Sequence, residues 1–316
     1  MLAKYRHALP QLDGKMMLTD GGTETYLIYK ENLEIPHFSA FHRLADETGY
    51  RIIENYYRNH AAVAAKHNVG FIFCSLTYRA SRDWGDLLGY SSGALAAINH
   101  KAIEMYRNIA AEFESAQSPM VMSGCIGPRG DAYNLDLKMS AEQSQEYHAE
   151  QIASFDEAGI DMITGLTLSE VNEAVGIALA SKESDIPSVI SFTVNQEGRM
   201  KTGQSLREAI EEVDERTGNA PAYYMINCAH PDDFLPGLED EEWVQRIRGI
   251  RSNASNLDHG VLCQLGHLEE GDPVELADKH GLISRRFPHI NTWGGCCGTD
   301  HVHVEHICER VLEESR

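Results

Sequence analysis

Read for apolar and polar positions alone, the chain alternates between two periods. Short, wholly apolar runs rich in β-branched and aromatic residues are each followed by a longer segment whose apolar residues recur three and four apart. Met16-Met17-Leu18 opens the series. A helix over 50–67 carries Ile52, Tyr56, Tyr57, Ala61 and Ala64, and a strand over 69–74 follows it. The next helix is striped by Leu95, Ile98, Ala102, Met105 and Ile109, and a third strand over 119–122 runs into Gly124-Cys125-Ile126-Gly127-Pro128. Ser140 and Gln143 stand at capping-box spacing and Gly159 supplies a stop, so a helix is expected between them. Strands at 160–163 and 187–194 flank a helix marked by Val171, Ala174, Val175, Ala178 and Leu179. A second capping box, Ser205 with Glu208, opens the helix before a strand at 221–227. A helix around Trp243, Val244 and Ile247 leads to a weak seventh strand at 249–254, and 256–286 reads as an irregular excursion. An eighth strand at 289–293 and a helix with Val304, Ile307, Cys308 and Val311 close the pattern.

Eight strand–helix alternations predict an α/β fold, a single (β/α)8 barrel of parallel strands ringed by helices, with a doubly wound open sheet as the fallback. No low-complexity linker divides the chain, so 1–316 reads as one domain. On the barrel reading the notable polar residues collect at one end. Asp20-Gly21-Gly22, Thr77-Tyr78, Asn195, Asn227-Cys228, Asn253 and Cys296-Cys297 all follow strands, at the face where barrel enzymes carry their sites.

Cys228, Cys296 and Cys297 are the candidates with the most chemistry. Three thiolates leave one corner of a tetrahedral zinc open, the arrangement of a catalytic site. Neighbouring strand side chains point to opposite faces, so Cys296 and Cys297 need an unusual backbone to serve one ion, and the flanking glycines would supply it. Spacing alone leaves open that these cysteines are small buried hydrophobes or a redox-active vicinal pair. Cys74, Cys125, Cys263 and Cys308 read as buried or incidental. His301, His303 and His306 share no helix face and read as a solvated histidine surface. No Ser/His/Asp arrangement and no glycine-rich nucleotide fingerprint is present.

Charge narrows the partners. A formal net charge of −21 excludes nucleic acid and anionic membrane surfaces, which require clustered Lys and Arg. There is no apolar run of membrane length and no basic-then-apolar leader, so the cytoplasm is the expected location. Seven cysteines, an odd number, make no disulfide framework in a chain this long and fit a reducing compartment with thiols free for metal.

Asp20-Gly21-Gly22-Thr23-Glu24-Thr25, Asn227-Cys228 and Gly294-Gly295-Cys296-Cys297-Gly298-Thr299, in that order, resemble the homocysteine S-methyltransferase family from about Met16 to the C-terminus. The resemblance implies a zinc ion on Cys228, Cys296 and Cys297 and methyl transfer from a sulfonium, betaine or folate to homocysteine, giving methionine. It implies that Asp20, Gly21 and Gly22 hold the amino-acid end of the acceptor, with the glycine N–H groups meeting its carboxylate. Thr77, Tyr78 and Asn227 are further substrate-contact candidates, and Tyr78 or Trp293 could face a cationic methyl group, although packing serves each aromatic as well. A sulfonium or betaine is favoured over a methyl-folate, since no relay module fits in the remaining length. The expected partners are therefore a small-molecule methyl donor and a thiol acceptor, with a homo-oligomer left open.

One departure stands out. Where the family's strand ends in Phe-Glu-Thr, with the Glu taking the acceptor's amino group, this chain has Gly165-Leu166-Thr167. Leu166 cannot take an ammonium, so either Asp20 or Glu24 covers it alone or the natural acceptor has none there. A different thiol acceptor is the alternative, and a non-catalytic zinc- or thiol-binding barrel is the other.

Overall fold

The computed structural model describes residues 3–134, 136–262 and 264–315, and of His259 the backbone only. Eight parallel strands close on themselves in sequence order: β1 (Met17–Leu18), β2 (Gly70–Cys74), β3 (Met120–Ile126), β4 (Met162–Leu168), β5 (Ser188–Phe192), β6 (Pro221–Asn227), β7 (Ile247–Ser252) and β8 (Thr292–Gly295). β1 completes the ring by pairing with both β2 and β8. This is the (β/α)8 barrel, and the open-sheet fallback is set aside.

The helices form where the apolar period placed them. Glu47–Lys66 buries Ile53, Tyr56, Tyr57, Ala61 and Ala64, and Ser92–Phe113 buries Leu95, Ile98, Ala102, Met105 and Ile109. Both expected capping boxes are made, at Ser140 with Gln143 and at Ser205 with Glu208, and Gly159 ends its helix in the left-handed conformation. Three readings are corrected. The stretch 256–286 contains a regular helix, Pro273–Arg286, capped by Asp272. The turn around Trp243 is a short 3-10 helix, Glu242–Arg246, and Ile247 belongs to β7. β4 runs on to Leu168, well past the apolar residues that announced it.

Side chains alternate inward and outward along each strand, so the barrel interior fills in layers. Met17, Ile72, Val121, Met162, Val189, Tyr223 and Met225 form the lower layer, closed from below by Leu9 of the N-terminal segment. Gln11 seals that end, donating to Tyr223 Oη at 3.2 Å. Two residues further along β2 and four further along β3, the same inward face presents Cys74 and Cys125, which pack with Leu166 as the floor of an open cavity at the strands' C-terminal ends. No helix among the described residues is long and apolar enough to cross a membrane.

Candidate metal and substrate site

Two βα turns bring three cysteines together at this rim. Cys228 follows β6 in a left-handed backbone, φ +52°, which a residue with a Cβ seldom adopts. The turn is tied on both sides: Cys228 N–H donates to Arg251 O at 3.2 Å, and its carbonyl accepts from Thr193 Oγ1 at 3.2 Å. Cys296 and Cys297 form the turn after β8. Cys296 N–H donates to Ser252 O at 2.8 Å, Ala254 N–H donates to Cys297 O at 3.0 Å, and Thr299 Oγ1 donates to Cys296 O at 2.7 Å. The flanking glycines serve two different needs. Gly298 takes the positive φ, +84°. Gly294 and Gly295 remain in the strand, where a Cβ would overlap the hydroxyls of Thr19 and Thr299, so they are required for close approach rather than for backbone freedom.

Cys228 Sγ and Cys297 Sγ are 3.9 Å apart, and all three sulfurs lie within 4.8 Å of one another. Sulfurs held about 2.3 Å from a tetrahedral ion stand about 3.8 Å apart, so the trio fits three corners of such a site. All three also line the cavity, the side from which a fourth ligand would enter. Charge is shared unevenly among the three thiols. Cys296 and Cys297 hydrogen-bond to Cys228 and hold it well below the ordinary thiol range, and the same bonds raise Cys296 and Cys297.

The cavity has a volume of about 270 Å³, near the lower end for small-molecule sites. Asp20 lies in its wall, its carboxylate ion-paired with Arg251, while Oδ1 accepts no hydrogen bond. Arg251 Nη2 is 3.0 Å from Asp20 Oδ1, both side chains are 4% exposed, and Thr23 Oγ1 donates to Oδ2 at 3.1 Å. Burial raises the Asp20 pKa against the pull of Arg251. Arg251 also donates to Gly295 O at 3.2 Å and to Gly21 O at 3.4 Å, joining β7 to the β8 turn and the first loop.

The two glycine N–H groups expected to meet a carboxylate are engaged inside the protein. Gly21 N–H donates to His60 Nε2 at 3.2 Å and Gly22 N–H to Thr299 O at 3.0 Å. His60 passes its own Nδ1 proton to Tyr56 O at 2.9 Å, and burial lowers its pKa to about 3, so it stays neutral and keeps this tautomer. What the glycines provide is room: a Cβ on Gly21 would stand 2.6 Å from Thr299 O, and one on Gly22 2.5 Å from Cys296 O. The loop lies directly against the cysteine turn.

Thr77 and Asn227, expected as substrate contacts, stand behind the cavity wall. Thr77 is fully buried and donates to Cys125 O at 2.9 Å. Asn227 ties three strands together: its Oδ1 accepts from Thr167 N–H at 2.9 Å and from Ser191 Oγ at 2.7 Å, and its Nδ2 donates to Thr167 Oγ1 at 2.7 Å. The same Nδ2 reaches Cys296 Sγ at 3.9 Å, which makes Asn227 a support for a sulfur. Tyr78 does line the cavity, backed by Gly127, whose N–H donates to Tyr78 O at 2.9 Å and whose missing Cβ leaves space for the ring. Leu166 lines it as well, at 9% exposure. Trp293 is wholly buried in the core. Asn195 and Asn253 are absent from the wall, and Asn195 Oδ1 holds its own turn.

Several cavity residues lie outside the sequence candidates, namely Phe38, Arg79, Tyr133 and Arg251, whereas Glu24, the alternative to Asp20 for the ammonium, does line the wall. Arg251 had a signal, since a charge inside an apolar strand is what weakened the pattern of β7. His303 is no solvated surface residue. It is buried, bonded to Asp300 Oδ1 at 2.9 Å and Glu270 O at 2.8 Å, and steadies the helix that follows the cysteine turn. Cys263 lies outside the described residues.

The family model described as "Homocysteine S-methyltransferase" matches residues 17–311. Crystal structures of the homocysteine methyltransferase MmuM from Escherichia coli are similar over nearly the whole chain. The oxidised form is 18% identical with a TM-score of 0.73, covering 97% of this chain and 99% of that one. The metallated form is 18% identical with a TM-score of 0.73, at 96% and 99% coverage. At this identity the likeness speaks for the fold.

Proposed function

The chain belongs to the homocysteine S-methyltransferase family, and on that premise we propose that it moves a methyl group from a sulfonium or betaine donor to the sulfur of homocysteine, with zinc held by Cys228, Cys296 and Cys297. The observation that carries this reading is the convergence of three part-exposed cysteine sulfurs, within 4.8 Å of one another, on the wall of a single open cavity. A soft, all-sulfur donor set suits zinc and disfavours magnesium, calcium or manganese. When bound, zinc supplies the positive charge that keeps an acceptor thiol ionised near neutral pH.

The chain's own residues account for the remaining work. Asn227 supports Cys296, and Arg251 with Asp20 braces the loops that carry the cysteines. Tyr78, Phe38 and Tyr133 offer aromatic surface to the cavity, which attracts an onium methyl group. Leu76, Ala132 and Leu166 add apolar wall that excludes competing water. Holding both reactants in line is the main contribution to rate. The new S–C bond forms as the donor's C–S or C–N bond breaks, and that electron pair leaves on a neutral sulfide or amine.

The test is metal analysis of the purified protein together with mass detection of methionine. About one zinc per chain is expected, with methionine formed from homocysteine and S-methylmethionine, S-adenosylmethionine or betaine. Absence of product with all three donors would sink the reading, and turnover with methyl-tetrahydrofolate alone would overturn the choice of donor class.

A further inference from the structure

Homocysteine carries an ammonium beside its carboxylate, and in a cavity of this size that cation needs an anionic partner. Leu166 and the carboxylates of the cavity wall, Asp20, Glu24 and Asp131, compete for the role, and Asp131 is already paired with Arg79 at 2.9 Å. Leu166 is apolar. Asp20 already faces the Arg251 guanidinium at 3.0 Å, so a second cation there would be repelled by the first.

Glu24 differs from all three. It lies in the first turn of the helix Thr23–Tyr29, part-buried, in the wall of the same cavity. Among the described residues no Lys, Arg or His makes an ion pair with it, and the two arginines of the cavity wall, Arg79 and Arg251, are paired with Asp131 and Asp20. Burial, the main cause, raises its pKa to about 7, and a cation bound beside it would restore the charged form. A carboxylate held out of bulk water without a cation is stabilised by acquiring one.

We propose that Glu24 holds the α-ammonium of the acceptor, doing for this chain what Leu166 cannot do and what Asp20, paired with Arg251, is not free to do. The inference rests on the family reading of the acceptor. The onium centre of a donor has no N–H to donate and is served by the aromatic wall. S-methylmethionine and S-adenosylmethionine, however, carry an α-ammonium of their own, so the donor KM in the experiment below separates donor from acceptor. A primary ammonium has three N–H groups that require acceptors.

The experiment uses zinc-loaded protein, one sulfonium donor and two thiols, homocysteine and 4-mercaptobutyrate, which is the same chain without the amino group. Glu24→Gln keeps the size and removes the charge. We expect the KM and the calorimetric dissociation constant for homocysteine to rise about 10- to 100-fold, the worth of one charge-assisted hydrogen bond. Values for 4-mercaptobutyrate, the donor KM and the zinc content should stay within about threefold, and turnover of 4-mercaptobutyrate reports that the variant is folded. Should Glu24→Gln not fold, Glu24→Ala carries the same comparison. Equal losses on both thiols, or no loss on homocysteine, overturn the proposal. So does a loss confined to the donor KM, which would assign the cation to the donor. Failure of the wild type to methylate either thiol with any of the three donors would instead overturn the proposed activity. Calorimetry then still decides the inference, because homocysteine binding that is unaltered by Glu24→Gln overturns it.

Discussion

Two sets of cysteines line one cavity, and they are built in opposite ways. Cys74 and Cys125 stand at regular inward positions of β2 and β3, buried and packed on Leu166. Cys228, Cys296 and Cys297 stand just beyond their strands, part-exposed, in turns held by a left-handed residue and by hydrogen bonds to the end of β7. The residue type is the same, so the difference lies in the backbone. A strand gives each thiol one direction and a fixed ladder position, and the floor pair is used as small apolar volume. A turn lets adjacent residues aim at one point, which a pleated strand forbids.

The sharpest break of this contrast is Cys297→Ser, which is expected to remove most of the metal and at least about 99% of the methyl transfer, since a hydroxyl is a poor substitute for a thiolate. Full metal occupancy by elemental analysis would mean that the turn set is not the ligand set. Asn227→Ala tests whether the turn needs its support. Losing it leaves the Thr167 N–H and the Ser191 hydroxyl without their acceptor and frees Cys296, so metal affinity should fall about 10- to 100-fold in a chelator competition. An unchanged affinity would show that Cys296 is oriented by its turn alone. The smallest effect is expected at the floor. Cys74→Ser should retain its metal and lose only about 1–2 kcal/mol of stability for a hydroxyl in an apolar layer, read by thermal or denaturant unfolding. Metal loss in that variant would place the floor pair in the same functional class as the turn set.

The legibility of the chain follows the same division. Apolar period located most of the strands and ring helices because in a barrel the strands are buried on both faces and the helices on one. It failed where polar residues are buried. β4 was read short because Thr164, Gly165 and Thr167 break its apolar run, yet Thr164 Oγ1 is bonded to Ser123 Oγ at 2.8 Å and Thr167 to Asn227, so the strand continues at no cost in unpaired groups. The helix Pro273–Arg286 was read as irregular because the face it buries includes His280, Gly281 and Ser284 beside Leu276, Ala277 and Ile283. Its end signals were nonetheless present: Asp272 as cap, Pro273 at the first position, and Arg285 and Arg286 in the last turn.

By itself, then, the order of apolar periods determined a barrel, and the three motifs around Asp20, Cys228 and Cys296-Cys297, taken together, pointed to the family, while spacing alone left the role of the cysteines open. Which groups remain available to a substrate was decided only by the folded chain. His60 reaches Gly21 from the helix before β2, Thr299 reaches Gly22 from the turn after β8, and Arg251 reaches Asp20 from β7. Each partner lies outside any local window of sequence. Closing the ring is what brings β1 beside β8 and turns a list of plausible donors and acceptors into one set already paired and a second, Glu24 among it, facing the cavity.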